Sequence, residues 1–321
     1  MNELFSHGYA VIVGVGNDLP VTVEDASAVA GLLRDPNRCA YPPDQVQLLT
    51  SDRADRAHIL AALDTLAEQA NADSSSVAIV YFSGHGEAVP EPHLVPFGYD
   101  SNNLSGTAIT GSLFTEKLRA IRAQKLLVLL DCCHAGVQAS AKSPIPSSVI
   151  AELKRSSGRV VIASSRRDEK SYTGSPYSVF TAALLEALAG YGAFEKDGYA
   201  RVLDVAMYVG RFVPNRTSEK QHPILSISNL EDNFALSYYA AGKNQIQRLN
   251  GLEVSDTSEV WDSSQIQSWR RMLDNKRSNL LLIQERMSMY AEYEAIPLQL
   301  IRNKQETESE ILTLENNLGF Q

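Results

Sequence analysis

The chain has 321 residues, of which 44% are hydrophobic and 21% are charged, a globular composition that excludes a disordered or fibrous protein. Its formal net charge of -9 argues against nucleic acid as a partner, because binding to phosphate backbones needs an excess of cations. Three cysteines cannot form a secretory disulfide framework, and no stretch reaches the roughly 18 apolar residues of a membrane span, so we expect a cytoplasmic protein without export signal or membrane anchor.

Short apolar segments bounded by turn residues alternate with segments of helical period through most of the chain. The predicted strands are Tyr9 to Val15, Gln45 to Thr50, Val77 to Ser83, Leu126 to Asp131, Arg159 to Ser164 and Pro223 to Ile227. The predicted helices are Asp25 to Arg34, Arg56 to Asn71, Ser112 to Ala123, Ser178 to Ala189 and Val202 to Val213. This alternation predicts an α/β fold with a doubly wound, mostly parallel sheet of about six strands flanked by helices.

The composition changes after Tyr239, where residues 240–258 are polar and poorly periodic, as expected of a linker. From Asp262 onward, apolar residues recur at helical spacing up to a break at Pro297 and then again to Leu318. We therefore predict an α/β domain over residues 1–239, a linker over 240–258 and an α-helical hairpin over 259–321. Narrow apolar stripes bury little alone, so the hairpin is expected to pack on the main domain, on a second copy or on a partner.

Two motifs with chemically reactive side chains come directly after neighbouring predicted strands, where open α/β sheets place their ligands. They are YFSGHG, with Ser83, His85 and Gly86, and LLVLLDCCHAG, with Asp131, Cys132 and Cys133. A thiol and an imidazole on adjacent strand ends can act as nucleophile and base, so the residues indicate acyl transfer by a cysteine. For each motif alone, buried cysteine packing and an ordinary glycine turn are the alternatives. A zinc site is disfavoured because adjacent cysteines lack the spacing of ordinary zinc ligands.

Taken together, the two motifs resemble those of the caspase-like cysteine peptidases, and within them the metacaspase and bacterial caspase-homologue branch. The similarity covers about Gly8 to Tyr239 and includes AVIVGVGNDLP with EDA, HLVPFGYD and VVIASSRRDEKSYTGSPYSVFTAALLEAL. The resemblance implies that Cys133 is the nucleophile and that His85 is the general base that later protonates the leaving amine. It also implies that the backbone N–H groups of Gly86 and Cys133 form the oxyanion hole, and that Cys132 is a packing residue.

The same resemblance carries an expectation about specificity. Caspases that cleave after Asp have an arginine in the Cys loop, which is missing here, whereas Asp131, Asp25 and Ser83 match positions that line an acidic pocket in metacaspases. Two carboxylates would hold a basic side chain by charge-assisted hydrogen bonds, so protein or peptide substrates are expected to be cut after Arg or Lys. For Asp25 the alternative is a solvated residue at a helix start, and Asp168 is a further candidate contributor to the pocket.

Two features outside the dyad have no settled role in the sequence. No cofactor is required and no metal ligands are predicted, but calcium, which several metacaspases bind, stays open because no acidic cluster for it maps onto this chain. The loop Val137 to Ser148 follows the nucleophile where related enzymes are processed, and Lys142 is its candidate autoprocessing site, with a mobile surface lysine as the alternative.

The predicted hairpin resembles adaptor regions of bacterial signalling and conflict systems. This likeness implies a regulatory protein partner or self-association through the hairpin, in a bacterial signalling or antiviral defence pathway. Two rival functions are a catalytically dispensable caspase-like scaffold that acts through the hairpin, and a related Cys/His hydrolase that cleaves after Asn. The intact His85 and Cys133 pair argues against the scaffold, and the acidic pocket argues against a neutral Asn.

Overall fold

The structure is a computed structural model that describes residues 5–87, 92–134, 158–166, 169–228, 230, 232–239, 276, 279–280, 282–284, 287 and 297–317. The chain divides into two compact units, Met1–Glu253 and Val254–Gln321. The predicted linker 240–258, Asp168 and Lys142 with its loop lie outside the described residues.

A mostly parallel sheet forms the centre of the first unit. The strands are β1 (Gly8–Gly14), β2 (Val46–Thr50), β3 (Val77–Glu87), β4 (His93–Leu94), β5 (Ile109–Thr110), β6 (Lys125–His134), β7 (Arg159–Ala163), β8 (Tyr199–Arg201), β9 (Ile224–Ser228) and β10 (Ala235–Tyr238). The main strand order is β2-β1-β3-β6-β7-β9, with β9 antiparallel to β7 and the others parallel. All six predicted strands therefore belong to this sheet. Strand β4 pairs with β3 and with β5, and β8 and β10 form a separate two-stranded sheet.

Helices cover both faces of the sheet. They are α1 (Val21–Arg34), α2 (Arg56–Asn71), α3 (Leu104–Thr107), α4 (Gly111–Ala120), α5 (Val179–Leu188) and α6 (Val202–Arg216). Because strand side chains alternate, Tyr81 and Leu129 face a core built with α1, α5 and α6, whereas Phe82 and Leu130 face a second core built with α2 and α4. This two-sided burial confirms the doubly wound α/β architecture.

The first helix approaches the sheet closely at Gly14. A Cβ atom at this position would lie 2.2 Å from the backbone oxygen of Thr22, so only glycine lets α1 pack this near to β1. The helix also begins at Val21, four residues before the predicted start at Asp25. Asp25 therefore lies inside the helix rather than at its beginning.

The two central strands are longer than predicted. Parallel pairing of β3 with β6 continues beyond Ser83 and Asp131 through Gly86 and His134, because each strand supplies partners for the other's backbone groups. The predicted strand ends at Ser83 and Asp131 are therefore wrong, because residues 84–86 and 132–134 lie within β3 and β6. Regular pairing restricts the backbones of His85 and Cys133.

The second unit contains α7 (Leu298–Asn317), which begins directly after Pro297. The described residues of the preceding segment, 276 to 287, are helical, and the ammonium group of Lys276 contacts the carboxylate of Glu310 on α7. Two described helical segments therefore contact each other in this unit, and the hairpin over residues 259–321 stays a prediction. Within the described part of the chain, no helix has both the length and the apolar character needed to cross a membrane.

Candidate active site

The two sequence motifs meet at the carboxyl ends of β3 and β6. The strand register makes Ser83 the backbone partner of Asp131, and His85 the partner of Cys133. Neighbouring strands lie roughly 4.8 Å apart, so the backbones of the predicted base and nucleophile are adjacent across the two strands. The side chain of Cys133 is outside the described residues. Gly86, expected in the oxyanion hole, pairs with His134 on one side and with Leu94 of β4 on the other.

The neighbouring cysteine faces away from this arrangement. Cys132 is buried in the apolar core on the α2 and α4 side, together with Phe82 and Leu130. Ser83 and Asp131 contact α1 and α5 on the opposite side of the sheet. This placement is that of a packing residue, which is the role that the resemblance implies for Cys132.

The imidazole of His85 has an acidic neighbour that the sequence analysis missed. Its Nε2 atom lies 3.0 Å and 2.9 Å from the two carboxylate oxygens of Asp18, in the turn between β1 and α1. The His85 side chain is 18% exposed and that of Asp18 is 66% exposed. The other ring nitrogen, Nδ1, is buried and has no hydrogen-bond partner among the described residues. The one signal in the sequence for this contact is that Asp18 follows a predicted strand, where side chains that bind ligands tend to lie.

Asp25 is completely buried, so the alternative of a solvated helix-start residue is wrong. One of its carboxylate oxygens accepts a hydrogen bond from the backbone N–H of Ser178 at 2.9 Å. The other accepts one from the hydroxyl of Ser83 at 3.2 Å. The structure therefore brings Asp25 and Ser83 together, as predicted, beneath the carboxyl ends of the strands.

Asp131, 5% exposed, forms the second half of this buried acidic site. Its carboxylate accepts hydrogen bonds at 2.9 Å from the hydroxyls of Ser171 and Thr181, and a third from the hydroxyl of Ser178. The Tyr81 hydroxyl lies 2.6 Å from that of Thr181 and extends the network into the core. Ser178 contacts both aspartates and also caps α5, because its hydroxyl accepts from the backbone N–H of Thr181 at 3.1 Å.

Burial, and then the negative charge of Asp131, raise the pKa of Asp25 to about 7. Burial likewise raises the pKa of Asp131. The hydrogen-bond donors that the structure gives these carboxylates are four hydroxyls and one backbone amide, so no described Lys or Arg neutralises them. An uncompensated buried carboxylate is costly, and a cation that enters from outside would relieve that cost.

A buried glutamine holds the segment that supplies Ser171. The Gln221 side-chain amide donates to the backbone oxygen of Ser164 at 2.9 Å and to the hydroxyl of Ser171 at 3.1 Å, while its oxygen accepts from the backbone N–H of Tyr172 at 2.8 Å. No motif or periodicity in the sequence indicates this support. Among the described residues, no group of three or more His, Cys, Asp or Glu side chains could hold a metal ion.

Comparison with known proteins finds a match to the caspase domain family over residues 7–235. No curated protein matches the chain. A crystal structure of a protein from Geobacter sulfurreducens is 17% identical, with 70% of this chain and 94% of that chain covered and a TM-score of 0.48. Caspase-1 from Spodoptera frugiperda is also 17% identical, with 71% and 88% covered and a TM-score of 0.45.

Proposed function

The chain belongs to the caspase domain family of peptidases, and from this premise we propose that it is a cysteine endopeptidase that cleaves proteins after Arg or Lys. Its proposed dyad is His85 and Cys133. One observation carries this proposal, namely that the two residues are backbone partners on adjacent parallel strands. Backbone partners on neighbouring strands lie roughly 4.8 Å apart, a spacing that suits a nucleophile and a base that act together.

The proposed reaction needs only these groups and water. The His85 imidazole takes the proton of the Cys133 thiol, and the sulfur bonds to the scissile carbonyl carbon while the carbonyl electron pair moves onto oxygen. The backbone N–H groups of Gly86 and Cys133 are the proposed donors to that oxyanion. Collapse of the intermediate breaks the C–N bond as the imidazolium protonates the leaving amine. Water then hydrolyses the thioester and regenerates the thiol.

The preference for a basic residue is supported by the electrostatics of the buried acidic site. Asp25 and Asp131 receive hydrogen bonds from neutral groups only among the described residues, and they raise each other's cost of ionisation. A guanidinium or ammonium group beside them would stabilise both charges. A substrate with Asp at the same position would add a third buried carboxylate, at a cost of several kcal/mol.

Fluorogenic peptides that differ only in the residue before the scissile bond, Arg, Lys, Asn or Asp, test this proposal. The full chain should cleave the Arg and Lys peptides. Cys133→Ala should abolish cleavage, whereas Cys132→Ala, a matched loss of one thiol, should keep most of it. Turnover that survives Cys133→Ala would contradict the mechanism, and preference for Asn or Asp would contradict the pocket. Absence of turnover with every peptide, with and without calcium, would favour the scaffold function.

We also propose that the second unit acts as a docking element for a regulatory protein or a second copy of the chain. Its described helical segments contact each other through Lys276 and Glu310, and it forms a compact unit of its own. A chain that ends after Glu253 should then retain peptide cleavage but lose assembly, as measured by light scattering. Loss of peptide cleavage by a soluble truncated protein would instead indicate that the second unit supports the catalytic domain.

A further inference from the structure

We propose that Asp18 is a positioning residue that fixes the tautomer of His85, holding the ring proton on Nε2 and leaving Nδ1 bare as the base. The inference rests on the proposed function for its catalytic meaning, because it makes His85 ready to accept the thiol proton. It adds to the Cys–His pair a third group that orients the imidazole.

The contact geometry carries the inference. Both carboxylate oxygens of Asp18 lie within 3.0 Å of Nε2 of His85. A carboxylate can only accept a hydrogen bond, so Nε2 must carry the proton. In a neutral imidazole the other nitrogen is then an unprotonated acceptor, and Nδ1 is the buried atom that has no partner among the described residues. The vacant acceptor is therefore on the side of the ring away from Asp18.

The turn that presents Asp18 is held on several sides. The backbone N–H of Gly16 donates to the hydroxyl of Thr22 at 2.7 Å, and the N–H of Leu19 donates to the oxygen of Gly16 at 3.0 Å. The hydroxyl of Thr22 in turn donates to the oxygen of Leu19 at 2.8 Å. Gly16 and Asn17 both have positive φ, at 73° and 58°, a conformation that costs energy at a non-glycine residue. The structure thus maintains a constrained turn directly before Asp18.

The exposure of Asp18 indicates that its contact with His85 positions the ring rather than stabilises the fold. Asp18 is 66% exposed, and an ion pair or hydrogen bond at such a position contributes little to folding because water screens it. The value of the contact is therefore orientation. We expect Asp18→Asn to change the chemistry of the ring without changing the urea midpoint of unfolding.

A spectroscopic experiment tests the tautomer without depending on turnover. In the full chain carrying Cys133→Ala, the nitrogen chemical shifts of the His85 ring should show a protonated Nε2 and a bare Nδ1 at a pH where the ring is neutral. Adding Asp18→Asn should mix the two tautomers, since an amide can donate as well as accept. Asp52→Asn, which removes another exposed carboxylate, is the matched control and should leave the spectrum unchanged.

Kinetics on the active chain supply the second readout. Asp18→Asn should lower kcat about 10- to 100-fold while KM for the peptide changes by less than about threefold, and Asp18→Glu should restore part of kcat. A ring that keeps one tautomer in Asp18→Asn would overturn the inference even if the chain is a peptidase. A tautomer that changes as expected in a chain without peptidase activity would support Asp18 as the positioning residue and contradict the proposed function instead.

Discussion

Glu186 on α5, Asp25 on α1 and Asp131 on β6 are all almost completely buried. The groups that bind the Glu186 carboxylate differ from those that bind the Asp25–Asp131 pair. The guanidinium group of Arg216 lies 2.7 Å and 3.0 Å from the two oxygens of Glu186, and the hydroxyl of Tyr208 donates to the same carboxylate at 2.9 Å. The aspartate pair receives only neutral donors from the described residues. A carboxylate that serves the fold has its counter-ion within the chain, whereas the pair beside the proposed dyad is available to a cation from outside.

Removing one charge from the aspartate pair should have the largest effect on activity. Asp131→Asn keeps the shape of the side chain but removes the charge that would hold a basic substrate. We expect kcat/KM for an Arg peptide to fall by about a thousandfold, equivalent to about 4 kcal/mol. For the same peptide with citrulline, the uncharged analogue of Arg, it should change only a few-fold. Glu186→Gln is the control and should leave the ratio of kcat/KM for the two peptides unaltered. An equal fall for both peptides in Asp131→Asn would contradict the assignment of Asp131 to binding of the basic side chain.

The opposite outcome is expected when the internal counter-ion is removed. Arg216→Met should lower the free energy of unfolding by about 3 kcal/mol, because Glu186 is then left buried without its cation. Urea denaturation measures this loss. The double change Arg216→Met with Glu186→Gln should recover part of the stability, since no unpaired charge remains. If Arg216→Met alone is as stable as the parent chain, the pair contributes nothing to the fold.

The pH dependence of specificity gives the smallest effect. The pKa of Asp25 is raised to about 7, so below that pH its carboxyl group is protonated and offers an Arg side chain less charge. The Arg-to-citrulline ratio of kcat/KM should therefore rise with pH, by at most about tenfold per unit, and level off above about pH 7. Taking the ratio cancels the titration of the dyad, which both peptides share. Asp25→Asn should make the ratio independent of pH in this range, and an unchanged rise in that variant would assign the titration to another group.

The six main strands can be predicted from the sequence pattern, whereas the position of the Asp25–Asp131 pair is predicted only by the resemblance. Apolar runs and turn residues predict all six main strands in the sheet, because burial on both faces leaves a continuous hydrophobic signal. The ends of β3 and β6 carry no such signal, since their last residues are glycines and polar groups whose pairing depends on the neighbouring strand. The resemblance predicts that Asp25 and Asp131 lie together, and the structure shows what holds them there.

The supporting hydroxyls could not be recognised in the same way. Ser171 occurs in a stretch rich in Ser, Tyr, Gly and Pro, a composition that predicts a turn, and Ser178 and Thr181 lie at the start of the predicted helix Ser178 to Ala189. Their role depends on which carboxylate they reach across the sheet. The contact of Asp18 with His85 depends on the positive φ angles at Gly16 and Asn17, which set the direction of the turn after β1. Both features arise from tertiary geometry rather than from local pattern.

Because two of the three thiols are buried, the number of reactive cysteines per chain can be measured. Cys39 and Cys132 are fully enclosed, and burial raises the pKa of the Cys39 thiol, which suppresses the thiolate that reacts with alkylating reagents. In the folded chain, iodoacetamide should therefore modify at most one cysteine, and that cysteine should be Cys133. The molar amount of carbamidomethyl group found by mass spectrometry would then give the fraction of chains with a reactive nucleophile, a titre by which any measured rate can be divided.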